Sequence, residues 1–186
     1  MIELELNPLT DLKREGKSFY WASFFLPRKS KIKAGILYSI CRHFDDIADK
    51  HNKDQTTYLK KSIEEIKKNK ENKVNIFLQK NKIDNAIFID LIEGLILDQK
   101  KTVIQNKNEL IQYSYHVAGT VGLMMSKILG VKHEKAARSA IDLGIGMQLT
   151  NIARDVYEDS KMKRIYLPAN WIPDISLKNL TDIHNN

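Results

Sequence analysis

The chain has 186 residues, of which 42% are hydrophobic, so it can form one domain with an apolar core and has little length left for a second. A formal net charge of +7 would suit nucleic acid or an anionic membrane, but the lysines are spread through 60–82 and near Lys100 without interleaved aromatic residues, which argues against a nucleic-acid partner. One cysteine, Cys41, and five histidines without CxxC or HExxH spacing exclude a disulfide framework and a zinc site.

Hydropathy and the first residues predict where the protein is located. The mean hydropathy is −0.39, and the opening MIELELNPLTDLKREGKS lacks the basic and then apolar pattern of a signal peptide. We therefore expect a cytoplasmic protein. The basic charge leaves open a weak peripheral association with acidic lipid headgroups at the inner membrane face. The sequence does not predict an oligomeric state.

Helical periodicity runs through almost the whole chain, and no strand alternation competes with it. We predict an all-α fold with helices near 16–26, 30–52, 55–69, 83–104, 108–129 and 133–159. Breaks between helices are predicted at a polar, lysine-rich stretch, 69–75, and at single residues that interrupt or end helices. These residues are Pro8, Pro27, Gly130, Pro168 and Pro173.

The helix predicted near 30–52 carries a polar stripe that steps by three or four residues. Its members are Tyr38, Arg42, Asp45 and Asp49. Eleven residues at roughly 100° each return to within about 20° of the start, so the stripe follows one helix face. The neighbouring residues are apolar or small, which is typical of a helix that lines a cavity. The alternative, usual for a single DxxxD pattern, is a solvated acidic surface.

The helix predicted near 108–129 contains the small residues Ala118, Gly119 and Gly122. No strand precedes them and their spacing is not GxGxxG, so a dinucleotide-binding loop is excluded. Each glycine inside a helix costs about 1 kcal/mol relative to alanine. Either close helix packing or room for a bulky ligand beside the backbone would justify that cost, and both interpretations stay open here.

The helix predicted near 133–159 carries a second stripe, Gln148, Asn151, Asp155 and Asp159, with the same spacing. Like charges at i and i+4 destabilise an isolated helix by roughly 0.2–0.5 kcal/mol, which a bound cation would offset. Mg²⁺ takes oxygen ligands and is usually held by one or two carboxylates plus substrate phosphates. The two stripes together predict metal-dependent diphosphate chemistry in a cavity between two helices.

Four blocks of sequence resemble the squalene and phytoene synthases, which join two prenyl diphosphates head to head. The blocks are SFYWASFFLP (18–27), ICRHFDDIAD (40–49), YSYHVAGTVG (113–122) and QLTNIARDVYED (148–159), the last followed by RIYLP (164–168). The resemblance extends over about 16–172. It implies an all-α isoprenoid synthase fold with two aspartate motifs facing each other across a central cavity, where Mg²⁺, or Mn²⁺ in its place, bridges them to substrate diphosphates.

The resemblance also implies roles for single residues. Those implied to bind metal are Asp45, Asp49, Asn151, Asp155 and Asp159, and the four aspartates are also implied to be catalytic. Tyr38 and Tyr113 resemble cavity tyrosines near the reacting carbons. The residues implied to bind substrate are Ser18 and Phe19 at the entrance, Gln148 in the cavity wall, Arg42 and Arg154 on diphosphate, and Val117, Ala118, Val121 and Gly122 along a hydrocarbon tunnel.

The implied reaction is the condensation of two geranylgeranyl diphosphates to phytoene through a cyclopropylcarbinyl diphosphate, without NADPH. The form NIARDV favours a phytoene synthase. The alternatives are a squalene or dehydrosqualene synthase acting on two farnesyl diphosphates, and a non-catalytic lipid-binding relative. At LIEGLILDQ (91–99), Glu93 stands where the family usually has aspartate. Family members extend beyond the RIYLP block, so we expect 1–186 to be the N-terminal two-thirds or so of a single isoprenoid synthase domain, truncated at its C-terminus.

Overall fold

The computed structural model describes residues 7–50, 53–99, 103–162 and 164–171. Regular structure in these residues is helical throughout, without a strand, and the predicted all-α class is confirmed. The ten α-helices of the described residues are α1 (Pro8–Glu15), α2 (Lys17–Ala22), α3 (Arg28–Ala48), α4 (Lys53–Lys67), α5 (Lys73–Lys80), α6 (Asn85–Asp98), α7 (Lys107–Ser114), α8 (Thr120–Ile128), α9 (Glu134–Arg154) and α10 (Val156–Lys161). A 3₁₀ turn, Ser23–Phe25, follows α2, and a π-helix, Tyr115–Gly119, joins α7 to α8.

Two of the predicted breaks are instead the starts of helices. Pro8 is the first residue of α1, where a proline loses no helical hydrogen bond because the N–H of that position has no partner in the helix. The polar stretch predicted as a break over 69–75 ends earlier, because Asn72 caps α5: its side chain accepts a hydrogen bond from Asn75 N at 2.9 Å. Asp84 and Asn106 cap α6 and α7 in the same way.

The main apolar core lies between α3, α4, α5, α6 and α8. Phe44 of α3 and Phe88 of α6 are fully buried and pack edge to face, with ring centroids 5.3 Å apart. Other buried members of this core are Leu37, Leu59, Ile66, Leu78, Ile92 and Met124. The core fixes the buried face of α3, so the polar stripe of that helix is held on the opposite side.

A second, smaller apolar cluster contains Ile104, Leu110, Ile152 and Tyr166. It connects α9 to the segment 164–171. Backbone hydrogen bonds from Ala169 N to Ile104 O and from Asn170 N to Gln105 O, at 2.8 and 3.2 Å, hold that segment in place. Much of α9 itself is exposed: Gly144 and Ile152 are its buried residues, and Leu143 is 66% exposed.

Glycine allows α8 and α9 to pack closely. A Cβ added at Gly122 would overlap the carbonyl oxygen of Ala140, and one added at Gly144 would overlap the carbonyl oxygen of Ala118. Of the two interpretations left open by the sequence, the structure therefore supports helix packing for Gly122. No helix in the described ranges combines the length and apolar character required to cross a bilayer.

Candidate functional site

A polar cavity of about 240 Å³ lies between the end of α3, the end of α6, α7 and the α9–α10 region. It brings together the aspartates of both predicted stripes. Its wall is formed by Asp45, Asp49, Asp98, Tyr113, Gln148, Asn151, Ile152, Asp155, Asp159, Arg164 and Tyr166. Every lining residue except Ile152 is polar, as expected for a site that binds a charged group.

The last two residues of the first stripe, Asp45 and Asp49, line the cavity. Asp45 lies in the last turn of α3, and Asp49 is the residue that ends the helix, with its N–H donating to Asp45 O at 2.9 Å. Arg42 and Tyr38, one and two turns before Asp45, do not form part of the described wall of this cavity.

Arg42 is held by three acidic side chains. Its Nη1 lies 3.0 Å from Asp45 Oδ2, its Nη2 2.7 Å from Asp46 Oδ1 and its Nε 2.9 Å from Glu15 Oε2. Glu15, at the end of α1, was not found by sequence reasoning. Because Arg42 is already neutralised in this arrangement, it would have to exchange an acidic partner to contact a diphosphate directly.

The second stripe is not on one continuous helix, as predicted for 133–159. The helix is interrupted at Asp155, whose φ and ψ are −101° and 13°, so α9 ends at Arg154 and α10 begins at Val156. Two helical hydrogen bonds still span the break: Asp155 N donates to Asn151 O at 2.9 Å, and Asp159 N to Asp155 O at 2.8 Å. The stripe therefore keeps its common face across the interruption.

Arg154 lies on the outside of this break. It makes a bidentate pair with Asp155, from Nε to Oδ1 and from Nη2 to Oδ2, each at 2.6 Å. This hydrogen bonding lowers the pKa of Asp155. Arg154 itself is exposed and does not line the polar cavity as described.

Three polar residues of the cavity wall were missed as site residues. Asp98, at the end of α6, accepts a hydrogen bond from Tyr166 Oη at 2.7 Å. The Tyr166 ring stacks on Tyr113, with centroids 5.1 Å apart and planes at 18°. Arg164 Nη2 lies 3.0 Å from Asp49 Oδ1. The RIYLP block was quoted for the resemblance, but no role was attached to its arginine or tyrosine, and Asp98 looked like a lone acid at the end of an apolar helix.

Burial and mutual repulsion perturb the carboxylates of this cavity. Burial, followed by the neighbouring Asp49, raises the pKa of Asp45 to about 6, although Arg42 opposes the shift. Burial and Asp155 also raise the pKa of Asp159. Five aspartates face the cavity and one arginine lines it. The site therefore carries excess negative charge that an added cation would relieve.

The same burial keeps the cavity tyrosines neutral. Burial and then Asp98 raise the pKa of Tyr113, and burial and Asp98 raise that of Tyr166. Tyr113 therefore presents a neutral phenol and its ring to the cavity, and its pKa is unsuited to a phenolate base at neutral pH.

The donor set fits a hard divalent cation. Carboxylate and amide oxygens of Asp45, Asp49, Asn151, Asp155 and Asp159 face one space, and there is no cysteine or histidine among the lining residues. Among the described residues, no group of three or more acidic, histidine or cysteine side chains is close enough to enclose a metal by itself. This geometry suits Mg²⁺, which keeps waters and shares its coordination with substrate phosphates.

An apolar cavity of about 270 Å³ is lined in part by Tyr38. It is formed by α1, α2, the 3₁₀ turn, α3 and α8. Phe19, Tyr38 and Val121, all predicted site residues, line it together with Leu12, Ala22, Ser23, Leu26, Ala34, Leu37, Cys41, Met125 and Leu129. Burial raises the pKa of Tyr38, so this phenol also stays neutral.

Four other predicted substrate-binding residues do not line these two cavities as the structure describes them. Ser18 is exposed at the start of α2. Val117 and Ala118 are half-buried in the π-helix, and Gly122 packs against α9. Their tunnel and entrance roles stay predictions.

The fold and the aspartate-lined cavity define the class of all-α isoprenoid synthases. The squalene/phytoene synthase family model matches residues 12–182, and the chain belongs to that family, whose members are prenyltransferases. It is 32% identical to the 15-cis-phytoene synthase of Enterobacter agglomerans, over 91% of this chain and 64% of the relative. It is 31% identical to that of Pantoea ananas, over 84% of this chain and 57% of the relative.

Two solved structures share the fold. A dehydrosqualene synthase crystallised with a ligand matches with a TM-score of 0.78 and 28% identity, covering 93% of this chain and 64% of that one. Squalene synthase HpnC from Alicyclobacillus acidocaldarius matches with a TM-score of 0.79 and 22% identity, covering 94% and 69%. The chain thus spans less than two thirds of the length of the two phytoene synthases above.

Proposed function

We propose that this chain carries the catalytic centre for the head-to-head condensation of two geranylgeranyl diphosphates to phytoene, a step of carotenoid biosynthesis. The observation that carries the proposal is the convergence of both aspartate pairs on one polar cavity, in a fold that also contains an apolar cavity lined by Tyr38. A diphosphate headgroup matches the first cavity once cations are bound, and a prenyl chain matches the second.

The proposed metal ligands are Asp45 and Asp49 on one side and Asn151, Asp155 and Asp159 on the other. Mg²⁺, or Mn²⁺, held there would neutralise diphosphate oxygens and assist departure of the leaving group. Gln148 supplies a further polar contact. Arg164 lines the same cavity and is the cation best located to contact a diphosphate, while Arg42 and Arg154 are assigned this role on the resemblance.

In the proposed reaction, one prenyl diphosphate loses its diphosphate and the double bond of the second attacks the resulting allylic cation. Loss of a proton from that adduct closes a cyclopropylcarbinyl diphosphate. Departure of the second diphosphate, rearrangement and loss of another proton then give phytoene. Neutral Tyr38 and Tyr113 stabilise the cations with their ring faces and hydroxyl dipoles, by about 0.5–2 kcal/mol each where water is excluded.

The choice of geranylgeranyl diphosphate and phytoene is supported by the relatives at 31–32% identity, which are phytoene synthases. A second candidate is dehydrosqualene or squalene formation from two farnesyl diphosphates, favoured by the likeness to the dehydrosqualene synthase structure. Squalene formation would require hydride from NADPH in place of the final proton loss. NADPH is not expected for phytoene.

The test is incubation of the purified protein with Mg²⁺ and labelled geranylgeranyl or farnesyl diphosphate, with and without NADPH, followed by analysis of the hydrocarbon extract. Phytoene formed without NADPH is the expected product. Asp45→Ala and Asp159→Ala should each lower turnover by roughly 100-fold or more, while helix content measured by circular dichroism is retained. Asp142→Ala is the matched control, because Asp142 lies exposed on α9 outside the cavity wall.

Retained activity in Asp45→Ala or Asp159→Ala would overturn the metal assignment. Absence of product from both substrates, together with absence of Mg²⁺-dependent pyrophosphate binding in calorimetry, would instead support the non-catalytic lipid-binding relative.

A further inference from the structure

An exposed aromatic patch is formed by Trp21, Phe24 and Phe25, on α2 and the 3₁₀ turn. Trp21 and Phe24 contact each other with ring centroids 5.7 Å apart, and Tyr20 packs against Phe24 at 5.1 Å. Trp21 is 68% exposed, Phe24 54% and Phe25 91%. Several large aromatic side chains exposed side by side indicate a binding surface, since isolated monomers rarely leave such a patch uncovered.

The sequence that contains and follows the aromatic patch is basic. From Gly16 to Phe44 the sequence contains no aspartate or glutamate, while it contains Lys17, Arg28, Lys29, Lys31, Lys33 and Arg42. Lys31 Nζ lies 3.8 Å from the ring centroid of Phe24, so charge and aromatic surface are in direct contact. Glu15, the acid that precedes this stretch, is paired with Arg14 and Arg42.

The aromatic patch shares a wall with the apolar cavity. Phe19, Ala22, Ser23 and Leu26, from the same short segment, line that cavity from the inside. Trp21, Phe24 and Phe25 do not line it and lie largely exposed. One turn of helix and one 3₁₀ turn therefore separate the hydrocarbon-compatible interior from the aromatic exterior.

We propose that the aromatic patch, flanked in sequence by Arg28 and Lys29, binds an anionic lipid bilayer and thereby places the wall of the apolar cavity next to the bilayer. Tryptophan and phenylalanine partition into the interfacial region of a bilayer, and adjacent basic residues are attracted to anionic headgroups. Exposed aromatic side chains followed directly in sequence by basic residues match this environment. The bilayer-binding part of the proposal does not depend on the proposed reaction.

The experiment is co-sedimentation of the protein with phosphatidylcholine vesicles that contain or lack phosphatidylglycerol. We expect binding that requires phosphatidylglycerol and weakens as salt is raised. The aromatic variant Trp21→Ser/Phe25→Ser and the basic variant Arg28→Gln/Lys29→Gln should each lower the partition coefficient by about tenfold or more.

Matched controls separate the patch from general properties of the surface. Leu143→Ser/Met147→Ser removes comparably exposed apolar side chains from α9, and Lys60→Gln/Lys61→Gln removes the same charge from α4. Both controls should bind vesicles as the wild type does. The targeted side chains are exposed, so circular dichroism should report an unchanged fold in all variants.

Absence of vesicle binding by the wild type, or equal loss in the controls, would overturn the proposal. So would a change in oligomeric state of the aromatic variant in light scattering with vesicle binding intact, because the patch would then be a protein interface. Mg²⁺-dependent pyrophosphate binding, measured on the same variants, should be unchanged. A failure of membrane binding is thereby distinguished from a failure of the catalytic site.

Discussion

Asp45 interacts with a second carboxylate, with an arginine and with the polar cavity. It lies beside Asp49, receives one of the three contacts of Arg42, and faces the polar cavity. Burial and Asp49 raise its pKa to about 6, so in the absence of a ligand the carboxylate is held in a less favourable environment than water provides. A divalent cation reverses that penalty, since it favours the ionised form.

Metal binding should therefore weaken in mild acid. Because the pKa of Asp45 is about 6, protons compete with the metal as the pH falls through this value, and the affinity for Mn²⁺ should drop by about tenfold at pH 5. The raised pKa of Asp159 acts in the same direction. Electron paramagnetic resonance of free Mn²⁺ during titration at pH 5 and 7.5 measures the change. Asp142→Asn should keep this pH dependence, and equal affinities at the two pH values would contradict it.

Tyr166 should act by positioning Tyr113. Tyr166→Phe removes the hydrogen bond to Asp98 but keeps the stacked ring, so the free energy of unfolding should fall by only about 1 kcal/mol. Turnover should fall by roughly tenfold, with little change in pyrophosphate affinity, because the lost hydrogen bond holds the ring on which Tyr113 stacks. Tyr157→Phe, on α10, is the control. A purely structural role would lower stability and leave the turnover of the folded enzyme unchanged.

Single residues were predictable where they belonged to a repeated pattern. The spacing of the two stripes was sufficient to indicate which aspartates converge, because helix geometry fixes the face on which they lie. Asp98 and Arg164 reach the cavity through tertiary packing of α6 and of the segment after α10. Neither residue belongs to a repeated spacing in the sequence, so helical periodicity could not predict that it lies at the cavity. Arg42 belongs to the first stripe, but the period does not reveal its acidic partner Glu15, which comes from another helix.

At the scale of elements, the packing of α8 on α9 fixes the second aspartate pair relative to the first. Gly122 and Gly144 allow this approach, and α9 continues from Gly144 to Asn151 at the cavity and ends one residue before Asp155. A residue larger than glycine at either position would separate the helices and move the second stripe. Of the two interpretations that the sequence left open for Gly122, helix packing is therefore the one through which it acts on the site.

Two glycines on α9 provide a matched test. Gly144→Ala would place a methyl group against the Ala118 carbonyl and should lower the free energy of unfolding by about 2 kcal/mol or more. Gly146→Ala meets no atom within 4 Å and should raise it by about 0.5–1 kcal/mol, because alanine is the better helix former. Urea unfolding measures both. Equal effects of the two substitutions would contradict the packing role.

Helix existence was more predictable than helix ends. Periodicity located the long helices α3 and α9, but the interruption at Asp155 has no glycine or proline to announce it. The short helices α1 and α5 were missed because Pro8 and Asn72 were interpreted as breakers, although both residue types also start helices. Whether a proline or asparagine starts or ends a helix depends on how the residues after it pack.

At the scale of the molecule, the polar and apolar cavities make a pair suited to an amphiphilic ligand. The location of the protein and the assignment of 1–186 to a single domain stay predictions. Cavity depth, which would determine the preferred chain length of a prenyl substrate, depends on tertiary packing that no period in the sequence reveals.

Metal and diphosphate should stabilise the whole fold together. Five aspartates face the cavity, so pyrophosphate alone is repelled. Bound Mg²⁺ would neutralise both the aspartates and the pyrophosphate oxygens, so the two ligands should bind together. At concentrations about 100 times Kd the gain is about 2.7 kcal/mol, or roughly 5–10 °C in Tm for a chain of this size. Differential scanning fluorimetry measures it, with Asp159→Ala as the variant that should lose the effect. An equal rise in Tm with pyrophosphate alone would contradict the role of the metal.

The π-helix, Tyr115–Gly119, determines how the two cavities share one helix. In an uninterrupted α-helix Tyr113 and Val121, eight residues apart, would differ by about 80° around the axis. A π turn takes up one extra residue, which reduces the difference to about 20° and aligns the two side chains. Tyr113 lines the polar cavity and Val121 the apolar one, about 10 Å apart along the axis. Because of this one extra residue, one face of the helix presents Tyr113 to the polar cavity and Val121 to the apolar cavity. Deleting the extra residue would rotate one of these side chains away from the other.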